Sequence, residues 1–159
     1  MGTIKYQSPI GTIFLSAMDG YVTELYFEGG RTTPPSIKEV PPTTCEEQVL
    51  AALVLELDKY FAGELREFTV PLKPAGTPFR EKVWEALCAI PYGQAISYKE
   101  LAARIGNPKA VRAVGGANHN NPISIVIPCH RVVGANGKLL GYGGGLHVKE
   151  YLLELERSK

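Results

Sequence analysis

The 159 residues are 45% hydrophobic and 21% charged, with a formal net charge of +1. Such a composition belongs to one folded domain or two small ones and excludes long disorder, and no apolar run approaches the roughly 18 residues of a membrane span. The near-neutral total hides an asymmetry, because residues 1–74 carry six Lys/Arg against ten Asp/Glu while residues 75–159 carry eleven against six.

The N-terminus, MGTIKYQSPIGTIFLSAM, mixes polar residues and turn formers into its apolar stretch, so no signal peptide is expected. Three cysteines (Cys45, Cys88, Cys129) and three scattered histidines lack metal-ligand spacing, which points to free thiols in a reducing cytoplasm and to no metal site. Ile4–Tyr6, Thr12–Met18 and Tyr21–Glu28 read as strands, the last two joined by the hairpin signal Asp19-Gly20. After a proline-rich loop, Thr44 and Glu47 suggest a capping box, and Leu50, Leu53, Val54, Leu57 and Phe61 repeat at helical spacing up to Gly63. Phe68–Leu72 reads as a further strand. The stretch KPAGTP at 73–78, where the charge changes sign, is the expected boundary between a domain 1–74 and a domain 75–159.

In the second half Phe79, Val83, Trp84, Leu87 and Ile90 form an amphipathic helix ended by Pro91 and Gly93. Ser97 with Glu100 opens a short helix that runs to Gly106, and Asn107 with Pro108 suggests the cap of another. Helix, Gly-containing turn and helix at this spacing make a helix-turn-helix. The third helix, KAVRAVGGA, places two glycines in its interior, each costing about 1 kcal/mol against alanine. Two reasons are open: close packing on a neighbour, or a smooth face for a nucleic acid with Arg112 as its one long side chain. Six basic residues and one acid lie between Ile96 and Lys138, a field suited to a polyanion.

That field surrounds IVIPCHRVV, residues 125–133, where a branched apolar run reads as a buried strand stopped by Pro128. Cys129 then stands between a rigid element and His130-Arg131, where a thiolate gains support; cysteine is also among the most buried residue types, so placement alone leaves both readings open. In the last helix Val148, Tyr151, Leu152 and Leu155 share one face, bordered by Glu156, which is placed to orient a histidine.

IPCHRVV, ISYKELA, NPKAVRAVGGANHNNP and GGLHVKEYLLELE together resemble the O6-alkylguanine-DNA alkyltransferases, also called methylated-DNA–protein-cysteine methyltransferases. The match runs nearly continuously over residues 79–159, whereas residues 1–74 fit by length and by their sheet-plus-helix pattern. The resemblance implies an α+β protein with an N-terminal ribonuclease-H-like domain and a C-terminal winged-helix, helix-turn-helix domain. It implies stoichiometric, irreversible transfer of an alkyl group from guanine O6 to Cys129 without a cofactor, by a monomer acting on a base flipped from duplex DNA through the minor groove. His130 would take the thiol proton through a water, Glu156 would orient His130, Tyr98 would donate to the flipped guanine, and Asn121 would hold the turn. Arg112 would fill the gap in the duplex, with Tyr98, Lys109, Ala110, Ala113, Gly115 and Arg131 as further DNA contacts; Tyr142, Gly143, Ser124 and Val132 would form the pocket. Position 143 is glycine where many members carry a serine donor, and Ser124 stands where some have a proline. The rival readings are a non-enzymatic damage-binding protein, a helix-turn-helix regulator, whose third helix would need polar base-reading side chains, and a Cys-His-Glu hydrolase, which would turn over repeatedly.

Overall fold

Three antiparallel strands open the chain: β1 (Gly2–Ser8), β2 (Gly11–Met18) and β3 (Tyr21–Phe27), in spatial order β1-β2-β3. Asp19 and Gly20, both at positive φ (53° and 82°), make the tight turn that the right-handed twist of a hairpin favours. Helix α1 (Thr44–Phe61) lies on this sheet through Leu50, Leu53 and Leu57. Its capping residue is Thr43, one position earlier than expected: the Thr43 amide donates to Glu46 Oε1 at 3.0 Å. The computed structural model describes every residue except 31, 32, 35, 36, 141, 143 and 159.

The expected strand at 68–72 does not form. The Glu56 carboxylate takes the amides of Thr69 and Val70, Pro71 has no amide to give, and a single parallel bridge, Leu72 to Val22, remains. This bridge sits on the free edge of β3, where the Val22 amide donates to Pro71 O at 2.9 Å. A second parallel bridge on the same edge joins Leu25 to Ile123, with the Leu25 amide donating to Pro122 O at 2.8 Å. The edge of the N-terminal sheet therefore carries the segment that leads to Cys129.

Helix α2 (Pro78–Cys88) starts at Thr77, whose hydroxyl accepts from the Arg80 amide, and buries Val83, Trp84 and Leu87. A short strand β4 (Ile96–Ser97) leads into α3 (Tyr98–Arg104), where Ser97 Oγ accepts from the Glu100 amide at 3.0 Å. The Glu100 side chain faces Arg104 at 3.6 Å and does not return to the cap. Helix α4 (Val111–His119) begins later than Asn107-Pro108 suggested, because these two form a turn in which the Ala110 amide donates to Asn107 O. Proline fits the second position of such a turn as well as it fits a helix start, which is why the sequence misleads here.

The run 125–133 is also not a strand as far as Pro128. Ile125 stands at φ 73°, and the chain doubles back through Val126 N to Ser124 O at 2.8 Å and Ile127 N to Ile123 O at 3.0 Å. Every side of this turn is buried, so apart from Ser124 its residues are apolar and mimic a buried strand. A β-branched residue at positive φ is rare and costs roughly 1–3 kcal/mol, held here by the surrounding contacts. Cys129–Arg131 forms a short 3-10 turn, then β5 (Val132–Val133) pairs in parallel with β4. Helix α5 (Leu146–Ser158) closes the chain.

The core runs without a break from Leu15, Leu25, Leu53 and Tyr60 to Trp84, Leu101, Ile125 and Leu152. Among the described residues no helix is long and apolar enough to cross a membrane, and no group of three or more His, Cys, Asp or Glu is placed to hold a metal ion.

Candidate active site

The turn that presents Cys129 is held by asparagines. Asn121 Nδ2 donates to Ile127 O at 2.8 Å while its Oδ1 accepts from the Ile123 amide at 3.0 Å, so one side chain closes both ends of the turn. Asn118 Nδ2 reaches Cys129 O at 3.4 Å from α4, which is itself fixed by Trp84 Nε1 donating to Ala117 O at 2.8 Å. Cys129 is a free thiol, 4% exposed. Burial pushes its pKa up, and the Asn121 side chain, the Lys149 cation and the Ser124 hydroxyl act in the opposite direction.

His130 is fully buried, with Nε2 2.6 Å from Glu156 Oε2 and with Nδ1 lacking a hydrogen-bond partner. Burial pushes the imidazole pKa down, as do Arg131 and Lys149, against the pull of Glu156. A neutral ring whose Nε2 proton is held by a carboxylate leaves Nδ1 as a lone pair, the state a proton acceptor needs. Glu156 in turn receives Arg131 Nε on Oε1 at 2.8 Å, Arg131 NH2 on Oε2 at 3.0 Å and the Tyr60 hydroxyl on Oε2 at 2.6 Å. Burial alone would raise the Glu156 pKa, but His130 and Arg131 carry it well below the usual carboxylate range.

Arg131 was expected at the DNA surface. It is buried instead, its guanidinium turned inward onto Glu156 and onto Ile90 O at 2.7 Å, so a buried carboxylate and not a phosphate is its partner. Val132, expected in the pocket wall, is fully buried and pairs with Ile96, which makes it core. Gly143 lies outside the described residues. The face of α5 is rotated from the expected one: Tyr151 is 37% exposed, and Val148, Lys149, Leu152, Leu153 and Glu156 are buried. Hydropathy misplaces it because two of these five are charged.

The structure brings Tyr98, Asn121, Ser124 and Tyr142 around Cys129. Burial and then the nearby Cys129 raise the pKa of both phenols, so both stay protonated as donors. Tyr142 packs edge-on against Phe27 of β3 at 5.7 Å between centroids, and Gly144 lies so close to the Phe27 ring that an added Cβ would fall 2.8 Å from it. Lys149 and Tyr60 are site residues that sequence reasoning missed. Lys149 is fully buried, donates from Nζ to Leu140 O at 2.8 Å, lies 5.9 Å over the Tyr98 ring, and is held down to about pKa 8, chiefly by burial. The signal available was a lysine on a helix face otherwise reserved for the core.

Helix α4 turns Arg112, Ala113 and Gly116 outward, beside exposed Lys109 and half-buried Ala110. A Cβ on Gly116 would meet nothing within 4 Å, and one on Gly115 would sit 3.9 Å from the Tyr98 ring, so close internal packing does not explain the glycine pair. What the pair creates is a stretch of low-relief backbone beside Ala113, flanked by the exposed side chains of Arg112 and His119.

Fold and site together define a helix-turn-helix domain built around a buried, base-flanked thiol. Two family models match the chain: 6-O-methylguanine DNA methyltransferase, ribonuclease-like domain, over residues 2–74, and the DNA binding domain of the same methyltransferase over residues 78–158. The chain belongs to the 6-O-methylguanine DNA methyltransferase family. It is 49% identical over 154 residues to the methylated-DNA–protein-cysteine methyltransferase of Methanosarcina acetivorans, covering 96% of each chain. With that of Mycobacterium tuberculosis it shares 49% over 152 residues, 96% of this chain and 90% of the relative. The crystal structure of the M. tuberculosis O6-methylguanine methyltransferase superposes with a TM-score of 0.87 at 47% identity, covering 99% of this chain and 93% of that one. The crystal structure of M. tuberculosis OGT in complex with DNA gives 0.86 at 46%, covering 97% and 91%.

Proposed function

We propose that this protein binds DNA and repairs O6-methylguanine by moving the methyl group onto its own Cys129. One observation carries the assignment of the acceptor: a buried thiol next to a buried histidine whose Nε2 is held by Glu156 and whose Nδ1 is without a partner. The thiol proton passes through a water to His130. The sulfur then forms a bond to the methyl carbon as the carbon–O6 bond breaks with its electron pair on guanine. Tyr98 passes its proton to the leaving base, which departs neutral, and the proton taken up by His130 is made good to the phenol through solvent. Lys149 favours the thiolate by its charge, and Asn121 keeps the turn closed while the sulfur reacts.

A base stacked in a duplex cannot meet a sulfur buried to this degree, so the nucleotide is rotated out at a cost of a few kcal/mol. The small-residue face of α4 approaches the minor groove, and Arg112 fills the space left in the stack. Ser124 and Tyr142 line the pocket for the flipped base. Residues 75–159 carry the DNA surface and acceptor, residues 1–74 support them, and the protein works as a cytoplasmic monomer. A thioether carbon–sulfur bond is not opened by acid–base groups such as His130 and Glu156, so one molecule repairs one lesion.

Intact-protein mass spectrometry after incubation with methylated duplex tests this. One added methyl per chain, mapped to the Cys129 peptide, is expected; undiminished transfer in Cys129→Ala would overturn the acceptor assignment, and repeated turnover would favour a hydrolase.

A further inference from the structure

We infer that Tyr60 is a positioning residue for the transfer, holding the Glu156 carboxylate through a buried hydrogen bond and so tuning the readiness of His130 to accept the thiol proton. The inference rests on the assignment of His130 as proton acceptor. Tyr60 belongs to the last turn of α1, in the N-terminal half, far from the motifs that mark the site. It is fully buried, its ring packed against Phe61 and Phe68 at 5.4 Å each and against Tyr92 at 6.3 Å. Phenylalanine would fill this space equally well, whereas a buried hydroxyl is costly unless bonded. The hydroxyl is bonded, and to Glu156 Oε2, the same oxygen that His130 Nε2 touches, each at 2.6 Å.

With Arg131 also donating to Oε2 at 3.0 Å, three donors on one oxygen compete for its charge. Burial, and then the charge of Glu156, keep the Tyr60 phenol protonated throughout the usable pH range, so it acts only as a donor. Each donor that draws negative charge from Oε2 weakens the pull of the carboxylate on the His130 proton. The other charged and titratable groups around the pair are Arg131 on both carboxylate oxygens, Lys149, Cys129, Tyr142 and Tyr92, whose ring lies under the Arg131 and Arg66 guanidiniums. Arg131 and Lys149 both disfavour imidazolium. Tyr60 acts with them, from the other half of the chain, to keep the imidazole neutral and receptive.

The test is the pH dependence of the single-turnover rate with free O6-benzylguanine, which takes DNA binding out of the measurement. Below the His130 pKa the ring is already protonated and cannot accept, so the rate falls on the acid side. Tyr60→Phe keeps the ring and leaves Glu156 bonded to His130 and Arg131, so the fold is retained. Without the hydroxyl His130 keeps its proton to higher pH, and the acid midpoint moves up by roughly half a unit to one unit. Fluorotyrosine at position 60, a stronger donor, moves it down. A lower rate with an unmoved midpoint, or both variants shifting the same way, would reduce Tyr60 to packing and overturn the inference. Glu156→Gln serves as the reference arm: losing the carboxylate moves the midpoint down. If it stays in place, the His130 assignment itself falls, and the role of Tyr60 with it; if it moves while Tyr60→Phe does not, only the role of Tyr60 falls.

Discussion

Glu156 gathers donors from three separate parts of the chain, the Tyr60 hydroxyl, the Gly93 amide and the neighbours His130 and Arg131, and that makes it a stabilising residue as well as a functional one. Arg131 is buried against it, and taking one partner from a buried ion pair costs ~3–5 kcal/mol because the other charge is left uncompensated. Its folded pKa is held below the ordinary value near 4.3, so the stabilisation is complete above that pH and is lost as pH falls toward the folded value. Urea unfolding of Glu156→Gln is therefore expected to show a loss of roughly 3–5 kcal/mol at pH 7. The variant should also lose less further stability than the parent between about pH 5 and pH 2, where the carboxylate of the unfolded parent takes up a proton that the folded one does not. Parallel acid limbs in the two proteins would mean that the Glu156 charge is not what the buried cluster depends on.

At the scale of elements, α4 sets stability against function. Gly116 lies on the exposed face with open space where a Cβ would go, so Gly116→Ala should raise helix stability by about 1 kcal/mol. If that face presses on the minor groove, the same methyl group weakens duplex binding while the rate with free O6-benzylguanine stays unchanged. A more stable variant that binds duplex as tightly as the parent would remove the DNA contact from this part of the helix. Arg112→Ala should likewise slow repair of duplex more than reaction with the free base, and equal losses would argue against a stack-filling role. These elements were legible in the sequence to different depths. The Asp19-Gly20 hairpin and the Ser97 cap were readable because their chemistry is local: a positive-φ pair and an oxygen three residues from an amide. The turn before Cys129 was not, since a buried turn and a buried strand demand the same apolar residues, and what separates them is Asn121 reaching forward to Ile127 O. Lys149 and Tyr60 escaped because hydropathy assigns a lysine to the surface and a tyrosine to the core, and neither rule sees a partner in another element.

Across the whole molecule, the N-terminal half grips the acceptor segment at three places. The edge of β3 bonds the chain at Pro122, Phe27 packs on Tyr142 and against Gly144, and Tyr60 bonds Glu156. The hydrophobic core is continuous across the same boundary. A weak interface would let the halves open separately and expose the thiol while α2 stayed folded. Here, opening the boundary breaks a sheet-edge hydrogen bond, an aromatic contact and a buried hydrogen bond to the carboxylate that also holds His130, so local opening near Cys129 is nearly as costly as unfolding. Unfolding in urea should then be one transition. Trp84 fluorescence, which reports α2, far-UV ellipticity and the reactivity of the Cys129 thiol in a protein with Cys45 and Cys88 changed to serine should share one midpoint. Phe27→Ala removes an anchor from the N-terminal side alone and should lower that common midpoint by an amount corresponding to about 3–5 kcal/mol while the three signals remain superimposed. Thiol reactivity rising well before the Trp84 signal, in the parent or in Phe27→Ala, would show that the halves are coupled loosely and that the site depends on its own half alone.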